Sequence, residues 1–146
     1  MASGAARVSG PPLFFGERQG RPMFEHGPTG ALHIDGVDLE AIAAEFSTPL
    51  YVYSARAVRE RIEQLTTALE GLDALVCFAV KANPGRAVLA LMAAAGLGAD
   101  IVSAGELRRA LDAGIPASRI VFSGVGKTAE EIGIALDAGI WKFNVE

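Results

Sequence analysis

The sequence predicts an α/β fold in which parallel strands alternate with helices, and three observations support that prediction. Leu75–Val80 is an uninterrupted apolar run, which is typical of a strand buried in a parallel sheet. Helix-like and strand-like segments then alternate with short links to the last residues of the chain. The segment Leu111–Ile115 returns almost unchanged at Leu136–Ile140, so a structural unit repeats. Repeated strand–helix units favour one parallel sheet with right-handed crossovers.

The first part of the chain is rich in turn-forming residues. Residues 1–30 contain many glycines and prolines and no apolar periodicity, and we interpret them as a flexible leader. Ala31–Ile34 predicts a short strand. Asp38 stands at the N-cap position of a helix whose apolar residues follow at helical spacing, and Pro49 ends that helix.

A second helix is expected after a short β-rich segment. Leu50–Tyr53 is rich in strand-forming residues, and Ser54 can cap the helix that follows. The apolar residues Val58 and Ile62 share one face of this helix, while charged residues occupy the other, which is typical of a solvated flank.

The remaining strands and helices follow one another regularly. They are predicted, in chain order, at Leu75–Val80, Arg86–Ala95, Gly98–Val102, Glu106–Ala113, Arg119–Phe122, Ala129–Ala138 and Ile140–Val145. Gly96, Gly114 and Gly139 each follow a helix, where a left-handed residue closes it. These units fit either a doubly wound sheet or the first half of an eightfold β/α barrel, a fold of about 250 residues.

Composition excludes several classes of protein. The formal charge of −4 and the pI near 5.2 argue against a nucleic-acid surface. One cysteine and two histidines leave little for a disulfide framework or a metal cluster, so we expect no metal. The apolar runs are shorter than a membrane helix of about 20 residues. The N-terminus lacks a signal-peptide pattern, and the expected location is the cytoplasm.

Lys81 is the residue most suggestive of chemistry. It directly follows the apolar run Leu75–Val80, at the strand end where parallel sheets build their sites. A lysine that is partly desolvated can serve as an amine nucleophile. Asp100 lies inside another apolar strand, where a carboxylate needs a partner such as a nearby lysine. When Lys81 is considered alone, the commoner explanation is that it is an ordinary lysine at the point where a strand reaches solvent.

Two glycine- and serine-containing loops allow simpler explanations. Ser103 and Glu106 have the spacing of a helix capping box, which needs no further function. Residues Gly124–Ala129 match a relaxed dinucleotide-binding fingerprint between a strand and a helix, which would suit a nicotinamide-dependent reductase. Two strand–helix units precede this loop, whereas the fingerprint normally follows the first strand. A glycine loop capped by Thr128 remains the alternative.

Taken together, the segments resemble the diaminopimelate decarboxylases, which belong to the pyridoxal-phosphate-dependent decarboxylases of the alanine-racemase-like barrel type. The resemblance runs from about Ala31 to the last residue, in the order and close to the spacing of that family. It departs from the family at Ala104, where a glycine is usual. The segments that carry it are Thr48–Ser54, Phe78–Asn83, Gly98–Leu107, Ile120–Thr128 and Phe143–Glu146.

The resemblance implies a fold, a cofactor and a reaction. The fold is the N-terminal part of a TIM-like (β/α)8 barrel that binds pyridoxal phosphate, with residues 54–146 as its first half and residues 31–53 contributing to a β-rich second domain. Lys81 would form the Schiff base with the cofactor, and Asp100 and Glu106 would bind near it. The implied reaction is the decarboxylation of meso-2,6-diaminopimelate to L-lysine.

The resemblance also implies parts that this chain does not contain. The family's phosphate cradle, the acid that pairs with the pyridine nitrogen and the substrate-binding residues lie beyond Glu146, and family active sites form between two subunits. We therefore expect an N-terminal portion of a homodimeric enzyme, with little activity alone. An ornithine or arginine decarboxylase, a racemase and a cofactor carrier without catalysis remain alternatives to the diaminopimelate enzyme.

Overall fold

The computed structural model describes residues 23–28 and 30–145. The chain divides into two compact units, residues 1–50 and residues 51–146. Among the helices in the described part of the chain, none is long and apolar enough to cross a membrane.

The first unit contains a small antiparallel sheet and one helix. The helix α1 begins after Asp38, whose carboxylate accepts a hydrogen bond from the Glu40 amide at 2.8 Å, so the predicted N-cap is confirmed. The sheet order is β1-β2-β3, with Phe24 opposite Ile34 and His33 opposite Asp38. The elements of this unit are β1 (Phe24–His26), β2 (Leu32–Ile34), β3 (Val37–Asp38) and α1 (Leu39–Phe46).

Two expectations for this region were wrong. Phe24–His26 was placed in the flexible leader but forms a strand, because pairing with β2 stabilises a segment too short to show a pattern of its own. Leu50–Tyr53 has strand-forming residues but forms no strand, and Tyr51 is 90% exposed. The rest of the expected leader, residues 1–22 and Thr29, lies outside the described residues.

The second unit is a parallel α/β structure. Its four strands pair in the order β4-β5-β6-β7, all parallel, and a helix connects each strand to the next. The elements are α2 (Ala55–Ala68), β4 (Cys77–Ala79), α3 (Arg86–Ala94), β5 (Gly98–Ile101), α4 (Ala104–Asp112), β6 (Ile120–Phe122), α5 (Ala129–Asp137) and β7 (Lys142–Phe143).

The core lies between the sheet and the helices α3, α4 and α5. Ile101 and Phe122 are fully buried and pack with Leu89, Leu107 and Ala135 of these helices. Because side chains alternate along a strand, the neighbouring strand positions point to the opposite side. We call that side the open face, and the register places on it, in one row, Ala79, Asp100, Val121 and Lys142.

Several element boundaries differ from the prediction. The run Leu75–Val80 forms a strand only over Cys77–Ala79, and these residues are half-buried because β4 pairs on one side only in the described chain. The last strand, predicted over Ile140–Val145, is confined to Lys142–Phe143. The helix α4 begins at Ala104, earlier than predicted, because Ser103 caps it.

The glycines that end the helices behave as predicted. Gly96, Gly114 and Gly139 have φ values of 73°, 95° and 71°, in the left-handed region that closes an α-helix. Each glycine therefore turns the chain from a helix into the link that leads to the next strand.

Replacing Gly98 by alanine should destabilise the protein. A Cβ atom there would lie 2.3 Å from the Arg119 carbonyl oxygen and 2.8 Å from the Cys77 sulfur, so backbone would have to move. We expect Gly98→Ala to lower the free energy of unfolding by about 1–3 kcal/mol in denaturant titrations. The matched control is Gly133→Ala in α5, where an added Cβ would meet no atom within 4 Å apart from the nearby backbone of the helix itself. That control should stabilise by about 0.5–1 kcal/mol, and equal effects of both substitutions would contradict the packing argument.

Candidate functional site

Lys81 lies at the carboxyl end of β4, in a single 3-10 turn formed by Val80–Ala82. The turn ends at Asn83, whose amide donates to the Val80 carbonyl at 3.1 Å and whose side-chain oxygen accepts from the Gly85 amide at 3.0 Å. The lysine side chain is exposed and makes no hydrogen bond or ion pair with another described residue. The fold thus presents an amine at the strand end, as the sequence predicts.

Asp100 is placed one strand away from Lys81. It lies in the middle of β5 opposite Ala79, two residues before the lysine. Its Oδ1 atom is buried and, among the described residues, has no hydrogen-bond partner. A buried carboxylate oxygen without a partner costs free energy, so a cation or a hydrogen-bond donor is expected to complete this position.

Glu106 is engaged with the backbone at the end of β5. Its Oε2 accepts a hydrogen bond from the Val102 amide at 2.7 Å, and its own amide donates to the Ser103 hydroxyl at 3.2 Å. Ser103 therefore caps α4 as predicted, but the reciprocal bond goes to Val102 rather than to the Ser103 amide. One oxygen of Glu106 thus has a structural role.

A second polar group lies at the carboxyl ends of β6 and β7. The side-chain nitrogen of Asn144 donates to the Ser123 hydroxyl at 3.0 Å. The backbone N–H of Asn144 donates to the Phe122 carbonyl at 2.9 Å. The Lys127 ammonium donates to the carbonyl oxygens of Asn144, at 2.7 Å, and of Gly124. This group, Ser123, Lys127 and Asn144, was not among the candidate site residues. The signal for Ser123 and Asn144 is positional, since each lies directly after a strand, whereas Lys127 lies just before the cap of α5.

The loop Gly124–Ala129 does not offer a dinucleotide site. Thr128 caps α5 in a full capping box with Glu131, as predicted. The Glu131 carboxylate accepts from the Ala104 amide at 3.1 Å and from the Thr128 amide at 3.2 Å, so it joins the first residues of α4 and α5. A pyrophosphate at this helix end would meet the carboxylates of Glu130 and Glu131, which argues against the reductase alternative.

The other side chains considered in the sequence have ordinary surroundings. Burial raises the pKa of the Cys77 thiol, and Asp100 raises it further, against the opposing effect of Arg119 and Lys142. A thiol with a raised pKa is a poor nucleophile. His26 and His33 lie in the first unit, where each Nδ1 bonds a backbone carbonyl at 3.0 Å.

The comparisons with known proteins point to one family. The family described as "Pyridoxal-dependent decarboxylase, pyridoxal binding domain" matches residues 55–146. Diaminopimelate decarboxylase from Zymomonas mobilis is 57% identical over 120 residues, which cover 80% of this chain and 28% of that protein. The chain spans 27–28% of the length of this protein and of two further curated diaminopimelate decarboxylases, which is less than a third.

Solved structures show the same fold. The crystal structure of AQ1208 from Aquifex aeolicus has a TM-score of 0.80 and 50% identity, covering 86% of this chain and 31% of that chain. Diaminopimelate decarboxylase from M. jannaschii, in co-complex with L-lysine, has a TM-score of 0.75 and 39% identity, covering 84% and 30%. The four described parallel strands are consistent with the N-terminal part of the barrel in such enzymes.

Glu131 should make the stability of the protein depend on acidity. The hydrogen bonds from the backbone of Ala104 and Thr128 lower the pKa of its carboxyl group below the ordinary value. A lowered pKa in the folded state means that the carboxylate stabilises the fold above the unfolded value of about 4.3, and that this contribution is lost as the pH falls through the lower, folded value.

The measurement is the free energy of unfolding of Glu131→Gln and of the parent protein between neutral and acidic pH. We expect the variant to be less stable at neutral pH and the difference to shrink on acidification. Glu130→Gln is the control, because Glu130 is exposed and bonds no other described residue. A difference between Glu131→Gln and the parent that does not change with pH would argue against this role.

Proposed function

Since the chain belongs to the pyridoxal-dependent decarboxylase family, we propose that it forms the lysine-bearing part of a diaminopimelate decarboxylase, which converts meso-2,6-diaminopimelate to L-lysine. Pyridoxal phosphate is the cofactor of this family domain. The identities of 57% and 52% to curated diaminopimelate decarboxylases support the choice of substrate. The matched structure of a lysine/ornithine decarboxylase is only 26% identical.

In this proposal Lys81 would supply the amine that holds the aldehyde group of the cofactor. One observation supports this above the others. The exposed Lys81, which bonds no described residue, follows by two residues the strand position opposite Asp100, whose buried Oδ1 also lacks a partner among the described residues. An amine and a buried carboxylate oxygen that both lack described partners could together hold a cofactor that binds through a nitrogen. The residues present therefore fit the cofactor.

Asp100 and Glu106 would complete this side of the site. Asp100 would face the nitrogen of Lys81 with the oxygen that no described residue satisfies. Glu106 would line the cofactor site with the oxygen that Val102 does not use. Bound pyridoxal phosphate supplies the electron sink that allows an amino-acid carboxylate to leave as carbon dioxide.

The wider organisation of the enzyme belongs to the same proposal. Residues 54–146 would be the first half of the cofactor-binding barrel, and residues 31–53 would contribute to the β-rich domain. The complete enzyme would act on an amino acid in the cytoplasm as a homodimer. Its oligomeric state can be measured by analytical ultracentrifugation, and a monomer that retains full activity would exclude the dimeric site.

Chemical trapping tests the role of Lys81 directly. The full-length protein is mixed with pyridoxal phosphate, reduced with borohydride and digested, and the labelled peptide is identified by mass spectrometry. We expect the label on Lys81 and its loss in Lys81→Ala. The control is Lys142→Met, a lysine at the amino end of β7 that should leave labelling unchanged. Label on another lysine, or full turnover by Lys81→Ala, would overturn the assignment.

Asp100→Asn should weaken binding of the cofactor. The substitution keeps the size of the side chain and removes the negative charge, so a cationic nitrogen at Lys81 loses its counterion. We expect the Kd for pyridoxal phosphate, measured by absorbance titration, to rise about tenfold. The matched variant is Asp112→Asn at the exposed end of α4, for which no change is expected. An unchanged Kd in Asp100→Asn would contradict the pairing.

A further inference from the structure

The open face of the sheet carries polar groups beyond Lys81 and Asp100. Val121 lies opposite Asp100 on the neighbouring strand. Ser123 follows Val121 by two residues, so the side chains of Val121 and Ser123 lie on the same face of the sheet. The Ser123 amide donates to the Ile101 carbonyl at 2.8 Å, which continues the ladder past the last strand residue. Lys142 lies opposite Val121, and Asn144 follows it by two residues in the same way.

The side chains of Ser123 and Asn144 confirm that they share this face, since they bond each other at 3.0 Å. The Ser123 hydroxyl accepts that bond, which leaves its hydrogen available to donate. Asn144 is held in turn by Lys127, whose ammonium bonds its carbonyl and lies 5.6 Å from the centre of the Phe122 ring. A half-buried lysine thus fixes the asparagine, and the asparagine orients the serine.

The surface between Asp100 and Ser123 is apolar. Val102 and Val121 occupy the intervening positions of the open face, and a Cβ atom on Gly124 would touch Val102 at 3.4 Å. Neighbouring strands lie about 4.8 Å apart, so β6 is roughly 10 Å from β4. The phenolic oxygen of a pyridoxal ring is ortho to the carbon through which the ring is attached. If the Lys81 side chain reached over β5 toward Asp100, this oxygen would lie beside the valines, on the side of β6 that carries the Ser123 hydroxyl.

We propose that the Ser123 hydroxyl donates a hydrogen bond to the phenolic oxygen of the pyridoxal ring held at Lys81, and that Asn144 and Lys127 are positioning residues for it. This inference rests on the function proposed above. Ser123 touches the cofactor directly, Asn144 fixes the serine hydroxyl, and Lys127 fixes the Asn144 backbone.

The test uses the full-length protein loaded with pyridoxal phosphate. Ser123→Ala should shift the visible absorption maximum of the bound cofactor, which depends on the charge of the phenolic oxygen. It should also raise the Kd by about five- to tenfold, because a hydrogen bond to a charged oxygen is lost. The matched control is Ser118→Ala, an exposed serine just before the other end of β6, which should change neither quantity.

Further variants separate positioning from folding. Asn144→Ala keeps the serine and should move the absorption maximum in the same direction. Lys127→Met should do so as well, while Lys127→Arg, which retains the charge and its donors, should restore the parent spectrum. If Ser123→Ala does not fold, Asn144→Ala decides the question, and a parent-like spectrum and Kd in that variant would overturn the proposal.

Borohydride labelling in each variant distinguishes this inference from the function on which it rests. If the parent protein is not labelled at Lys81, the proposed function fails. If the label is on Lys81 and Ser123→Ala leaves the absorption maximum and the Kd unchanged, only the serine contact fails. A shift of equal size in Ser118→Ala also overturns the contact, because the effect would not be local.

Discussion

The register of the parallel sheet is the constraint on which the candidate site depends. Ala79, Asp100, Val121 and Lys142 form one row across the four strands because each is hydrogen-bonded in step with its neighbour. A slip of one residue in β5 would turn Asp100 into the helix-facing core and bring Ile101 to the open face. The apolar core enforces this register, since Ile101 and Phe122 are fully buried against the helices.

Local interactions explain the parts of the fold that the sequence predicts well. The caps at Asp38, Ser54 and Thr128 depend on a side chain and an amide a few residues away, so their pattern is visible in the sequence. The strands are less predictable because their lengths depend on partners. Phe24–His26 forms a strand through β2, and the apolar run Leu75–Val80 is shortened where the chain turns at Lys81.

In the candidate site, too, some residues can be predicted from the local sequence and others only from the pairing of the strands. Lys81 and Asp100 stand out in the sequence because a charged residue next to or within an apolar strand is unusual, and the resemblance to a known family adds Glu106. Ser123 and Asn144 do not stand out, since serine and asparagine are ordinary residues in loops. Only the register of β6 and β7 shows that they share a face with Asp100.

The acidic residues near the carboxyl ends of the strands differ in whether described residues satisfy their carboxylate oxygens. Glu106 and Glu131 accept hydrogen bonds from backbone amides that would otherwise lack partners at the starts of α4 and α5. Asp100 has a buried oxygen that no described residue satisfies. A carboxylate that serves only the fold gains nothing from such a position, because the cost of burial is not offset. In the proposed function, this unmatched oxygen is the position that positive charge on a ligand held at Lys81 would complete.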